Sequence, residues 1–195
     1  LITQARAFGN PVLLDEAYAE FAGSSAVDLI EKFDNLIVLR SFSKAFGLAG
    51  LRVGYLMAQE ALMQKLRALA PPFNVSTPSL MLAQAACANA PQTEMKNYCT
   101  QIAQARDDLR AELIEAGFDV IDSQGNFLLL PLGVRRAQMV ASYLKRQGIS
   151  VREFREAELA GCLRITIPLN IEALKTALMT ALSPELLCLD MDGVL

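Results

Sequence analysis

A chain of 195 residues holds one ordinary domain or two small ones. It is 53% hydrophobic and 20% charged, too apolar for disorder, and its 18 basic against 21 acidic residues give a net charge of -3, which leaves no electrostatic case for nucleic acid or an anionic membrane. The absence of histidine excludes every Ser-His, Cys-His and His-metal mechanism, so any chemistry must come from Lys, Asp, Tyr, Ser, Arg or a bound cofactor.

In chain order, residues 11–14 end in Asp15 and read as a buried strand. Apolar spacing over 26–33 predicts a short helix, with Asp28 near its start favouring the helix dipole. Residues 36–39 form a second apolar run, 51–58 a third, and 59–69 an amphipathic helix. Strands alternating with helices predict an α/β unit with a mostly parallel sheet. Residues 68–93 are uncharged, but Pro71, Pro72, Pro78 and Pro91 with Asn74, Gln84 and Asn89 make a poor bilayer span.

Residues 93–117 read as one long helix: Met95, Tyr98, Ile102, Leu109 and Leu113 keep a helical period, and Gly117 stands at a C-cap position. Strand candidates follow at 118–121, 127–130, 149–151 and 163–167, interleaved with helices at 135–147 and 171–182. That order predicts a small α+β domain. Cys87, Cys99, Cys162 and Cys188 form no close pair, so reduced thiols are expected rather than disulfides or zinc. With no signal peptide in view, the chain reads as soluble and cytoplasmic. It opens on Leu1 rather than Met and closes on a strand-like run, so a fragment of a longer protein is expected.

The chemistry concentrates in Ser41-Phe42-Ser43-Lys44-Ala45-Phe46-Gly47-Leu48-Ala49-Gly50-Leu51-Arg52-Val53-Gly54-Tyr55. Two hydroxyls, a lysine and several glycines follow the end of an apolar strand, where α/β sheets place ligands. Hydroxyls and an arginine eight residues beyond the lysine can converge on a phosphate. A lysine amid apolar residues is a candidate for a lowered pKa, which imine chemistry needs. A solvated lysine in a Gly-rich loop fits the same residues.

The order Ser-x-Ser-Lys-x-x-Gly-x-x-Gly-x-Arg-x-Gly resembles the lysine segment of fold-type I pyridoxal-phosphate aminotransferases, most closely histidinol-phosphate aminotransferase and its relatives. Four more segments fall in family order: Asp15-Glu16-Ala17-Tyr18, Pro72-Phe73-Asn74-Val75-Ser76, Gly125-Asn126-Phe127 and Cys162-Leu163-Arg164-Ile165-Thr166. The resemblance implies that Lys44 binds pyridoxal 5'-phosphate covalently and then carries the proton between substrate and cofactor. Asp15 would pair with the pyridine nitrogen and Tyr18 with the phenolic oxygen, while Ser41, Ser43 and Arg52 hold the phosphate. Arg164 would clamp the substrate carboxylate, with Asn126 near it, and Arg152 would meet a phosphate on the substrate. Arg152 also reads as a surface arginine near Arg155, and Asn126 as a turn residue after Gly125.

The resemblance further implies an amino donor and a 2-oxo acid as substrates, and a homodimer for the complete protein. Transfer between a histidinol-phosphate-like amine and 2-oxoglutarate is the default. Aromatic amino acid transamination, a threonine-phosphate decarboxylase-like reaction and an inactive partial domain stay open. Residues 1–92 would be part of the large cofactor-binding domain, 93–182 the small domain, and 183–195 a linker and first strand. Two departures stand out: Pro168-Leu169-Asn170 replaces a family Gly-Thr, and the family's N-terminal half is missing. In the tail, Leu186-Leu187-Cys188-Leu189-Asp190-Met191-Asp192-Gly193 resembles the first motif of haloacid-dehalogenase-type phosphatases. There Asp190 would be the nucleophile and Asp192 the acid/base, with Mg²⁺ if a full domain follows.

Overall fold

The computed structural model describes residues 1–183, so Asp190 and Asp192 lie outside the described residues. The described residues divide into two compact units, the first ending at Cys99 and the second starting at Thr100.

The first unit opens with helix α1 (Ile2–Ala7) and strand β1 (Val12–Asp15), followed by a one-turn helix α2 (Ala19–Ala22). Strands β2 (Leu36–Ser41) and β3 (Gly54–Met57) complete a sheet of order β1-β2-β3. Helices α3 (Glu60–Leu69), α4 (Thr77–Ala86) and α5 (Asn89–Glu115) follow, the last running across the division between the units. The expected helix at 26–33 is only a 3-10 turn, Val27–Leu29. The segment buries no residue, and so short a helix does not form without packing on one face.

β1 and β2 pair in parallel, whereas β3 returns antiparallel to β2. The 42–53 connection contains only a 3-10 turn, Ala49–Leu51, and lacks the longer helix with which parallel crossovers usually span a sheet. β3 also starts later than expected, because Arg52 takes a left-handed conformation (φ 54°, ψ 44°) that ends extended geometry there. Leu36, Ile37 and Val38 of the central strand are buried. The expectation of a buried strand at 11–14 is corrected: Leu13 is 58% and Leu14 37% exposed. Successive side chains of a strand point to opposite faces, so neither face of β1 is fully covered there. Beside the sheet, Phe42, Val53 and Ala83 pack with Phe46, Leu48, Leu51, Val75 and Ala86. Helix α4, inside the uncharged stretch, starts where Ser76 Oγ accepts from Ser79 N at 3.3 Å, with Pro78 in the first turn.

In the second unit, α5 ends as its sequence suggested: Gly117 has φ 86°, and Phe118 N donates to Leu113 O at 2.9 Å. Strand β4 (Phe127–Pro131), helix α6 (Val134–Arg146), strands β5 (Arg152–Glu153) and β6 (Cys162–Thr166), and helix α7 (Glu172–Leu182) complete the unit. Its antiparallel sheet has the order β4-β6-β5. The strand expected at 118–121 is reduced to one bridge, Ile121 with Leu129, before the chain turns at Ser123–Gly125. The strand expected at 149–151 starts later, because Ile149 N is used on Leu144 O at the end of α6. The core alternates as strands require: Leu128 and Leu130 of β4 and Leu163 and Ile165 of β6 are buried, with Val140, Leu144, Leu174 and Leu178 from the helices.

One buried charge interrupts this core. Arg106 continues the stripe Ile102, Leu109 and Leu113 on α5, is 7% exposed, and donates from Nη1 to Gly125 O at 2.9 Å. It ties the long helix to the turn that carries Asn126. Arg106→Met should lower the stability of the second unit by about 1–3 kcal/mol, since Gly125 O loses a charged donor; urea denaturation followed by circular dichroism measures the change.

Candidate active site

Parallel pairing sends the carboxyl ends of β1 and β2 to the same edge, with Asp15 in register with Leu39. β3 starts from that edge, because Gly54 stands opposite Ser41. Three chain segments therefore deliver Asp15, Tyr18, Ser41, Ser43, Lys44 and Arg52 to one margin of the sheet, the position at which open α/β sheets hold ligands.

The local geometry of that margin is defined. Asp15 Oδ1 accepts from Ala17 N at 2.9 Å, closing a turn that leads into Tyr18. Ser41 Oγ accepts from Ser43 N at 3.0 Å. Lys44 is exposed between the buried Phe42 and Ala45, and its Nζ stands 5.4 Å from the centre of the Tyr18 ring. Arg52 holds its left-handed backbone while Nη1 donates to Ala49 O at 3.1 Å. A side chain other than glycine in that region costs roughly 1 kcal/mol or more, and such strain clusters at functional sites. Gly54 has a steric reason: a Cβ there would stand 2.8 Å from Arg40 O across the ladder. One carboxylate, one phenol, one amine, two hydroxyls and one guanidinium thus share an edge that can hold an anion and present a nucleophilic nitrogen.

On the other face of the same strand ends lies a network that the sequence reading did not single out. Glu16 is 8% exposed; its Oε1 accepts from Ala26 N at 2.5 Å and its Oε2 from Ser25 Oγ at 2.7 Å. Arg40 adds Nε at 3.2 Å and Nη2 at 3.0 Å to Glu16 Oε2, and reaches Glu20 Oε1 with Nη1 at 3.3 Å. Burial pushes the Glu16 carboxyl up, but the bonds from Ala26, Ser25 and Arg40 together outweigh it and hold the pKa below the ordinary value. The available signal was a glutamate beside Asp15 and an arginine closing an apolar strand. Nearby, burial and the Glu20 charge push the Cys99 thiol up to about 11, so it stays protonated at neutral pH.

In the second unit, Arg152 of β5 and Arg164 of β6 are direct cross-strand partners. Directly opposed residues share a face, so Arg152 and Arg164 leave the same face of the sheet, two cations available to anionic groups of a substrate. Arg164 also stands over the Phe127 ring at 5.5 Å and Arg152 over Phe154 at 5.7 Å. Asn126 precedes Phe127, and its carbonyl accepts from Ile167 N at 2.9 Å.

Residues 1–180 match the family model for aminotransferase class I and II. The chain belongs to that family. It is 39% identical over 169 residues to histidinol-phosphate aminotransferase 2 of Rhizobium meliloti, covering 86% of this chain and 48% of that protein. It is 42% identical over 158 residues to the histidinol-phosphate aminotransferase of Thermoanaerobacter pseudethanolicus, covering 80% of this chain and 44% of the relative. The crystal structure of the Sinorhizobium meliloti histidinol-phosphate aminotransferase with pyridoxal-5'-phosphate superposes with a TM-score of 0.77 at 29% identity, over 96% of this chain and 52% of that one. This aminotransferase chain thus spans about half the length of the relatives it matches.

The ion network gives a pH dependence with a defined sign. Because the folded Glu16 pKa lies below its ordinary value of 4.5, its stabilisation is complete above that value and is lost as pH falls through the folded pKa. Denaturation midpoints taken from pH 7 down to pH 3 should fall less steeply in Glu16→Gln than in the wild-type chain.

Proposed function

We propose that this chain supplies the lysine-bearing half of a pyridoxal 5'-phosphate aminotransferase that moves an amino group between a histidinol-phosphate-like amine and 2-oxoglutarate. The observation that carries the reading is the convergence of Asp15, Tyr18, Ser41, Ser43, Lys44 and Arg52 on one edge of the sheet. These groups match the cofactor's own: a carboxylate for a protonated ring nitrogen, a phenol for a ring oxygen, hydroxyls and a guanidinium for a phosphate, and an amine for the aldehyde. When bound, the cofactor supplies an electron sink for the charge left as the substrate α-proton departs.

In this reading Lys44 anchors the cofactor and then, released, accepts and returns that proton. Asp15 keeps the ring nitrogen protonated, and Tyr18 orients the ring from beside Lys44. Ser41, Ser43 and Arg52 bind the phosphate, Arg52 with a two-pronged donor. In the second unit, Arg164 takes the substrate carboxylate beside Asn126, and its cross-strand neighbour Arg152 takes the phosphate of the amine. The names of the relatives support that substrate class. The working form is a homodimer in the cytoplasm; the exposed Leu80, Met81 and Leu82 of α4 and the exposed Phe73 supply apolar surface for burial between subunits.

The test is incubation with pyridoxal phosphate, borohydride reduction and mapping of the modified lysine by mass spectrometry. One label per chain at Lys44, absent in Lys44→Ala and about tenfold weaker in Arg52→Ala, is the expected result. Labelling scattered over surface lysines in the wild-type chain overturns the reading.

A further inference from the structure

We propose that Arg40, clamped between Glu16 and Glu20, is a positioning residue that fixes the spacing between the Asp15–Tyr18 turn and the Ser41–Lys44 turn. The inference rests on the cofactor reading above for its consequence at Lys44, and on the geometry alone for its structural part.

Strand alternation carries the argument. Asp15 and Glu16 are successive residues leaving β1, and Arg40 and Ser41 are successive residues closing β2, so in each pair the side chains point to opposite faces. The ladder extends one step past β1, with Glu16 N donating to Leu39 O at 2.8 Å. On the face away from Asp15 and Ser41, the Arg40 guanidinium places two donors on Glu16 Oε2 and a third on Glu20 Oε1. Glu16 is also fixed by Ala26 N and Ser25 Oγ, so it cannot follow a shift of Arg40 without breaking bonds to another loop. Three segments that carry no ladder contact with one another, α2, the 25–26 loop and the end of β2, are thereby held at one point.

An apolar cluster could hold the strand ends together at no greater cost, because removing charges from water offsets much of their attraction. The ladder sets the offset of the two strands, but neither it nor an apolar cluster would fix α2 and the 25–26 loop against them. A planar fork bound to one carboxylate oxygen while its third donor reaches another carboxylate does, since moving either segment breaks several directional bonds. The two turns that continue from these strand ends bring Lys44 Nζ to 5.4 Å from the centre of the Tyr18 ring.

The test compares the wild-type chain with Arg40→Lys, which keeps the charge and loses the fork, and with Glu16→Gln, which keeps the shape and loses the charge. Circular dichroism fixes conditions in which all three are equally folded. Amide hydrogen exchange is then read over residues 15–18 and 40–46 against 36–38, alongside borohydride labelling at Lys44. The expected result is exchange about tenfold faster in the two turns with 36–38 unchanged, and labelling at Lys44 lowered about tenfold in both variants. Unchanged exchange in the turns, or an equal rise over 36–38, overturns the proposal. So does Lys44 labelling at the wild-type level in a folded variant. If the wild-type chain itself shows no preference for Lys44, the cofactor reading fails, and the exchange comparison alone decides the role of Arg40.

Discussion

Four residues of parallel pairing, Val12 to Asp15 against Leu36 to Leu39, bring two chain segments that are distant in sequence to a common edge. Everything at the candidate site depends on that register. Side chains alternate along a strand, so a one-residue slip would exchange the faces of Asp15 and Glu16, and the carboxylate facing the site would become the one that belongs to the ion network. Antiparallel return of β3 then brings Arg52 back to the same edge, and the close approach of Gly54 to Arg40 O explains why that ladder position is a glycine.

The two units are stabilised differently. In the second, one sheet face and helices α5, α6 and α7 close over a core in which Leu128, Leu130, Leu163, Leu144 and Leu178 are fully buried. In the first, the buried apolar residues are those of β2, a small cluster around Phe42, and Ala19, Phe21, Ala45 and Cys99, while apolar side chains on β1, β3 and α4 remain exposed. An apolar helix exposed on several sides and an edge strand carrying leucines are surfaces that proteins normally cover. That agrees with a chain spanning about half the length of its relatives. The charged elements of the first unit therefore do more geometric than energetic work. Arg40 and its two carboxylates fix how α2 and the turn after β1 sit against the end of β2, while the apolar residues fix only that they are close.

The second unit shows the same division between attraction and placement. Two arginines directly opposed across β5 and β6 place like charges on one face of the sheet. The stacking of Arg164 over Phe127 and of Arg152 over Phe154 orients the guanidinium groups without neutralising them. Arg106 plays the supporting role there that Arg40 plays in the first unit. It is a buried cation whose Nε pairs with Asp107 and whose Nη1 goes to a backbone carbonyl, and it fixes the turn from which Asn126 and Phe127 enter β4.

The family and the chemical inventory were legible in the sequence, because they rest on residue identity and order: the Ser41–Gly54 run, Asp15 with Tyr18, and Arg164 on an apolar strand. The long helix capped at Gly117 and the strand expected at 127–130, observed as Phe127–Pro131, were legible for a related reason, since periodicity and capping are local properties. The direction of β3, the exposure of β1, the reduction of the 118–121 strand to one bridge and the later start of the one expected at 149–151 were not. Each depends on which neighbour accepts a backbone hydrogen bond, and that neighbour lies elsewhere in the chain. Glu16, Arg40 and Arg106 escaped for the same reason. A charge inside an apolar pattern shows in the sequence only as an interruption, and its partner is chosen by the fold. The sequence by itself determined which groups are present and which local elements carry them. Only the tertiary structure decided which of them meet, because strand register, not spacing along the chain, sets the distances between them.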